Sequence, residues 1–335
     1  MILQRMPRTS DYALDVRIWD VAHGSAAYMR AGNKDVVLDC GAGSRFSPLE
    51  WLNNPYYGMN ALDYLIISHP HEDHIEDLDM LKDLGLNNSN LIFQRPKQAT
   101  SLVEENLKKA KREGNDDFVE DAEYYLNVLD EFDQTPDVLP RDPNWAMDVS
   151  GSSRYRTDGG IPYRGVTIHN FGTHKLLGSD NYEKLNNLSR ITVVDAFGFR
   201  LVSAGDLLKL GINEIKENDD AMEAIRDADV LIAPHHGRDS GFDPEFVSHI
   251  NPDLTVFSDK DAKHTVSNKY GRLTDGKDVY DESKDTYDYS RKVLSTNNDG
   301  RIRIQVNNES DWSASIYRRD YATAKASTKR YQKSD

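Results

Sequence analysis

The sequence predicts a mixed α/β protein, and three observations predict it. Short apolar runs with strand character recur along the chain, segments with apolar residues at helical spacing separate them, and both halves alternate the two. Several buried runs also end directly in a polar loop that carries histidine or aspartate, where a rigid scaffold commonly holds functional residues.

Residues 14–22 (LDVRIWDVA) and 26–39 (AAYMRAGNKDVVLD) read as short strands, with a turn at Gly32-Asn33-Lys34. Cys40-Gly41-Ala42-Gly43 follows as a loop. Residues 62–67 (LDYLII) form an apolar run that stops at Ser68. Ile75, Leu78, Leu81 and Leu84 then recur at helical spacing, so a helix is expected over 75–84. The stretch between, His69-Pro70-His71-Glu72-Asp73-His74, belongs to a strand-to-helix loop.

Residues 88–160 differ in character. Leu102 to Arg112 carries the i,i+4 pairs Glu104/Lys108 and Glu105/Lys109, which support an exposed helix. Phe118 to Phe132 reads as a second, acidic amphipathic helix, and Thr135 to Gly160, rich in Pro, Asp, Ser and Gly, as loop. The region is expected to be a largely helical insertion, either a lid or surface decoration, within a single domain spanning 1–335. From 161 the strand pattern returns at 164–171, 189–195 and 198–204, the last leading into Gly205-Asp206. Residues 217–227 and 244–250 look helical, 254–258, 301–306 and 312–317 strand-like. Val230 to Ala233 is a buried strand ending at Pro234-His235-His236-Gly237.

Composition narrows the class. Hydrophobic residues make up 38% and charged residues 29% of 335, enough apolar material for a sizeable core. No apolar run approaches the ~18 residues of a membrane-spanning helix, and the N-terminus lacks a secretory pattern. Cys40 is the single cysteine, which fits a reducing compartment, so a cytoplasmic location without membrane partners is expected. The net charge of −15 argues against broad nucleic-acid binding. The segment 318–335 runs the other way. There Arg318, Arg319, Lys325, Lys329, Arg330 and Lys333 outweigh Asp320 and Asp335, as a solvated tail or a nucleic-acid arm would.

The chemistry concentrates at three strand ends. His69, His71, Asp73 and His74 fall within six residues, and imidazole and carboxylate are the ligands of zinc- or manganese-type ions. Asp206 closes a strand in Gly-Asp, which is either an ordinary turn or a carboxylate able to bridge two ions. Of the pair His235-His236, one could complete a metal shell and the other contact substrate or move a proton.

Together these motifs resemble the metallo-β-lactamase superfamily, whose signature is HxHxDH. More narrowly, they look like the soluble hydrolase domain of competence (DNA-uptake) channel proteins. The matching residues are Leu38-Asp39-Cys40-Gly41, Ser68 to His74, Asn186-Asn187-Leu188-Ser189, Gly205-Asp206 and His235 to Ser240. The resemblance implies an αββα sandwich and two divalent ions, Zn or Mn. By motif, His69 and His71 would hold the first ion, Asp73, His74 and His235 the second, and Asp206 would bridge. Asp39 would fix the histidine loop. Asn187, Ser189, Arg238 and Ser240 would support the ligands or touch substrate, and Asp73, His236 and His264 would make up the catalytic groups. A water or hydroxide between the ions would be the nucleophile.

The chain also departs from the pattern. Many superfamily members supply a further mid-chain histidine to the first ion, where this one reads NNLS; His174 could substitute or be a surface residue. His23 stands in an altered early turn and reads as a loop histidine. Arg238 could clamp a phosphate or pair with Asp239 or Glu245. The expected function is a phosphodiesterase or nuclease, with a nucleic acid or nucleotide as substrate, including a cyclic nucleotide. The alternatives are a carbon-ester (lactone or thioester) hydrolase and a metal-stabilised binding module.

Overall fold

Alternate residues of the strands separate into two apolar layers, the consequence of the two-residue period of a pleated chain. The strands are β1 (Leu14–Ile18), β2 (Ala26–Ala31), β3 (Lys34–Cys40), β4 (Tyr64–Ile66), β5 (Ile92–Gln94), β6 (Trp145–Asp148), β7 (Val166–Phe171) and β8 (Ile191–Ala196). They continue with β9 (Phe199–Ser203), β10 (Val230–Ile232), β11 (Leu254–Phe257), β12 (Lys277–Asp281), β13 (Thr286–Arg291), β14 (Val293–Ser295), β15 (Arg301–Val306) and β16 (Trp312–Tyr317). The computed structural model describes residues 12–31, 34–43, 46–53, 62–83, 91–132, 145–148, 166–173, 175–259, 264–307 and 311–318.

Val36 and Leu38 of β3 and Tyr64 and Ile66 of β4 face one cluster, whereas Val37, Leu65 and Ile67 face another. In the second half, Val230 and Ile232 of β10 join the first of these clusters and Leu231 and Ala233 a third. The shared cluster is the interior between two sheets. The other two lie on the outer faces, where helices cover them. One sheet runs β13-β12-β16-β15-β1-β2-β3-β4-β5 and the other β14-β11-β10-β9-β8-β7-β6. The layering is therefore helix, sheet, sheet, helix, the sandwich that the motifs implied.

Within each sheet the strands that matter are parallel. β3, β4 and β5 run together in the first, and β9, β10, β11 and β14 in the second. Their C-terminal ends therefore open toward loops on one edge of each sheet. A backbone bond joins the two edges, Arg190 N donating to Ser68 O (3.0 Å), and along the first sheet's edge Ser25 N donates to Asp73 O (3.1 Å).

Several expectations are met and others corrected. The two helices expected after residue 88 are present as Ala99–Glu113 and Asp116–Phe132. The single helix expected over 75–84 is instead two short ones, Glu72–Ile75 and Met80–Asp83. The break has a long-range cause: Asp77 N donates to Cys40 O (2.8 Å), and its carboxylate accepts from Leu49 N (2.7 Å). The expected loop 135–160 contains β6, which pairs antiparallel with β7; the rest of that stretch lies outside the described residues. So do Gly32 and Asn33 of the expected turn and, except Arg318, the basic tail. The β12–β13 hairpin was not foreseen, because β13 is mostly exposed and carries no apolar alternation. Among the described residues, no helix is long and apolar enough to cross a membrane.

Candidate metal centre

Asp39 is where the centre is anchored. It is the next-to-last residue of β3, with φ at 55°, a left-handed conformation that aspartate tolerates better than most residues, and it is fully buried. Its carboxylate accepts from Ser68 N (2.7 Å), Ser68 Oγ (2.8 Å) and His74 Nδ1 (2.9 Å). Three charge-assisted bonds thus fix the start and end of the histidine loop, and the bond to Nδ1 leaves His74 Nε2 facing Asp206.

Inside the loop, His69 Nε2 and His71 Nδ1 are 3.0 Å apart. Asp206 lies opposite, held by its backbone N–H donating to Ser189 Oγ (2.9 Å). The Asp206 carboxylate is 3.3 Å from His74 Nε2, 3.3 Å from His236 Nε2 and 3.9 Å from His69 Nε2. Two donor groups result. His69, His71 and Asp206 form one; Asp73, His74, Asp206 and His236 form the other, and within each the donor atoms lie within 4.8 Å of one another. Asp206 belongs to both.

The loop after β10 orders the histidine pair in a way the motif did not reveal. His235 and His236 both have positive φ (49° and 57°), ahead of Gly237 at 80°. Two successive non-glycine residues in that region are strained, a condition found where a site fixes its side chains. His236 Nδ1 donates to Ser258 O (2.6 Å), so Nε2 faces Asp73 Oδ2 at 3.2 Å. His235 Nδ1 hydrogen-bonds Ser240 Oγ (2.6 Å), and its Nε2 stays 3.9 Å from Asp206. It is therefore His236, and not the expected His235, that falls inside a donor group.

The electrostatics call for cations. Buried imidazoles should lose their protons, and burial holds His69 well below its ordinary value and His71 at about 4. Burial pushes the same way on His74 and His236, but the carboxylates prevail. Asp39, Asp206 and Asp73 carry His74 well above its ordinary value, and Asp206 with Asp73 carries His236 to about 10. Burial opposes ionisation of Asp73 and Asp206 too, yet the charges on His74 and His236 hold both carboxyls well below the usual range. Nε2 of His74, His235 and His236 is buried without a well-formed hydrogen bond, although carboxylate oxygens stand at ion-pair distance. A largely buried cluster of imidazole nitrogens and carboxylates that draws in positive charge fits a divalent metal centre.

The remaining expected residues divide. Ser189 and Ser240 contact Asp206 and His235 directly. Asn187 points away: its Oδ1 accepts from Leu208 N (3.2 Å) and Gly211 N (2.8 Å), and its Nδ2 donates to Leu177 O (2.8 Å). Arg238 pairs with neither Asp239 nor Glu245. Its Nε is 3.6 Å from Asp259 and its Nη2 is 3.5 Å from His23 Nδ1. His264 is exposed and, among the described residues, shares none of these contacts. His174 lies outside the described residues.

Sequence reasoning underrated His23, which lies 3.4 Å from Asp73 and 3.5 Å from Asp259, with its side chain 41% exposed. It missed Asp259 and Ser258, which follow β11 on the same edge; Ser258 Oγ donates to Gly24 O (2.5 Å). Their one signal is position, a polar pair directly after a buried parallel strand. It also missed Tyr182, whose ring stacks on His71 at 4.5 Å and 18°.

Comparison with known proteins comes to the same region. The sequence profile of the Metallo-beta-lactamase superfamily, whose members are metal-dependent hydrolases, matches residues 19–87, which include Asp39 and the loop His69–His74. The two-sheet architecture is consistent with that fold. A search of curated proteins finds no match. Among solved structures, the metallo-beta-lactamase fold protein YhfI from Bacillus subtilis is 12% identical over 84% of this chain and 96% of that one, with a TM-score of 0.45. The short form of human tRNase Z is 13% identical over 75% and 95%, with a TM-score of 0.40. A diphosphatase from the PhnP family is 10% identical over 84% and 94%, with a TM-score of 0.40. Likeness at this level assigns no substrate.

Proposed function

We propose that this chain is a dimetal-dependent hydrolase of phosphodiesters. The observation that carries the reading is the sharing of Asp206 between two histidine–carboxylate groups, the arrangement two adjacent divalent ions require. On this reading His69, His71 and Asp206 hold one ion, and Asp73, His74, Asp206 and His236 the other. His236 takes the ligand role that the motif gave to His235, and His235, tied to Ser240, supports the loop. Nitrogen and oxygen donors of this kind accept zinc or manganese. When bound, the ions would polarise a phosphoryl oxygen and bring the pKa of a water toward neutrality.

The chain's own groups would do the rest. Asp39 keeps His74 in the tautomer that presents Nε2, and the Ser258 carbonyl does the same for His236. Arg238, with a side chain 28% exposed beside His23, places a guanidinium at the mouth, where it suits an anionic ester. His23, open to solvent between Asp73 and Asp259, is better placed than His264 to contact a leaving group. The net charge of −15 favours a small phosphodiester over a long nucleic acid, and the narrower resemblance to the competence hydrolases keeps DNA as a substrate to test.

The test is hydrolysis of bis-p-nitrophenyl phosphate with manganese or zinc, against Asp73→Ala. Metal-dependent turnover that disappears in the variant supports the reading. No turnover from protein shown to hold two ions would shift it to carbon esters, which the same centre could attack at a carbonyl.

A further inference from the structure

The first donor group has three members where the second has four, and beside it lies a buried amide with no well-formed hydrogen bond among the described residues. Asn186, at the end of the helix Asn181–Asn187, is fully buried. Neither Oδ1 nor Nδ2 has a hydrogen-bond partner among the described residues. Its amide stands within interaction distance of the ring of His71 and the hydroxyl of Tyr182, but neither contact is a well-formed hydrogen bond. An unpaired buried amide costs about 1–3 kcal/mol, so its place calls for a partner.

Local structure aims this side chain. Tyr182 and Asn186 are four residues apart and share one face of the helix. Tyr182 stacks on His71, bringing that face against the first donor group. Asn187, one residue on, is rotated away and locks the helix end to the backbone at Leu208 and Gly211. Two adjacent asparagines therefore do different work, one anchoring the helix and one whose amide lies beside His71 and Tyr182 without a well-formed hydrogen bond.

We propose that Asn186 is a ligand of the first ion, through Oδ1, beside His69, His71 and Asp206. The proposal rests on the dimetal reading above. A neutral amide oxygen is a hard donor. It makes the first site a two-nitrogen, two-oxygen set, which favours manganese more than a three-histidine set would. Tyr182, half exposed over His71, covers the site from the solvent side.

The experiment is titration of chelator-stripped, full-length protein with manganese and with zinc, read by calorimetry and by metal content after desalting. The wild type is expected to take up two ions. Asn186→Ala should weaken one of the two by on the order of ten- to a hundredfold and leave the other unchanged. Asn186→Asp, which keeps an oxygen in place, should retain both ions, with manganese bound more tightly than in the wild type. Asn186→His should move the preference of the weaker site toward zinc. Two ions bound by Asn186→Ala with unchanged affinities would overturn the proposal while leaving the dimetal centre standing. A wild type that binds no ion would overturn both. Should Asn186→Ala fail to fold, the aspartate and histidine variants decide alone: equal metal preference in the two would refute ligation by residue 186.

Discussion

His236 Nε2 lies 3.2 Å from Asp73 Oδ2, so the loop after β10 and the loop after β4 meet at one carboxylate. The neighbouring His235 turns toward Ser240 instead. The two histidines should therefore separate on mutation. His236→Ala is expected to lose one ion and at least about a hundredfold in turnover, whereas His235→Ala, which loosens a support, should cost roughly tenfold. Metal content and kcat measured on both variants check this. A larger loss of metal from His235→Ala than from His236→Ala would show that the pair is read in the wrong order.

Asp39 reaches no donor group itself, yet it holds three atoms of the loop that does. Asp39→Ala removes the acceptor of Ser68 N and leaves Ser68 Oγ and His74 Nδ1 only their longer contacts with each other (3.3 Å) and of Ser68 Oγ with His69 Nδ1 (3.2 Å), and removing one partner of such a buried network costs about 3–5 kcal/mol. A fall in thermal stability that persists in chelator is expected, together with metal affinity weakened about 10–100-fold. Asp39→Asn should be milder, since its remaining oxygen can still accept from Ser68. Equal behaviour of the two variants in both assays would argue against a hydrogen-bonding role.

The part of the site that was legible in the sequence is the part written in consecutive residues. His69 to His74 show a metal-type donor set directly after a buried strand, whereas Gly205-Asp206 alone left an ordinary turn equally open. Which of His235 and His236 faces Asp73 was not legible, because a backbone turn at positive φ decides it and Gly237 is its local trace. Asn186 was passed over for Asn187 because a helix rotates neighbours by about 100°, and the motif gives no rotation. His23 and Asp259 meet across most of the chain, and no local pattern records that. The helix expected over 75–84 failed for the same reason: the bonds of Asp77 that interrupt it go to Cys40 and Leu49.

Asp77 also carries a pH prediction. Burial pushes its carboxyl from 3.8 up to about 8, despite bonds from Ser47 and Leu49 that favour the ionised form. A carboxyl whose pKa is higher folded than unfolded holds its proton more tightly in the folded chain. Its contribution is therefore most favourable below about pH 4 and is lost as pH rises toward 8, where it is ionised in both states. Asp77→Asn removes that dependence while still accepting from Leu49 N. In chelator, the melting temperature of Asp77→Asn relative to the wild type should rise between pH 5 and pH 8. A difference that stays constant over that range would mean that Asp77 is ionised throughout.

Gly41 presses its backbone against the ligand loop. A Cβ built there would stand 2.3 Å from Asp73 O and 3.0 Å from Ser25 O, both backbone atoms that cannot swing aside. Gly41→Ala must therefore displace the peptide that carries Asp73, and overpacking of this kind costs about 1–3 kcal/mol. Both a lower melting temperature and weaker binding at the site built on Asp73 are expected. Gly114→Ala is the control, because Gly114 has a φ of 72° and open space around it, so alanine strains the backbone far from the centre. That variant should lose some stability and keep its metal affinity. If Gly41→Ala loses stability alone, as the control does, then the packing of Gly41 on Asp73 matters to the fold and not to the ligand it carries.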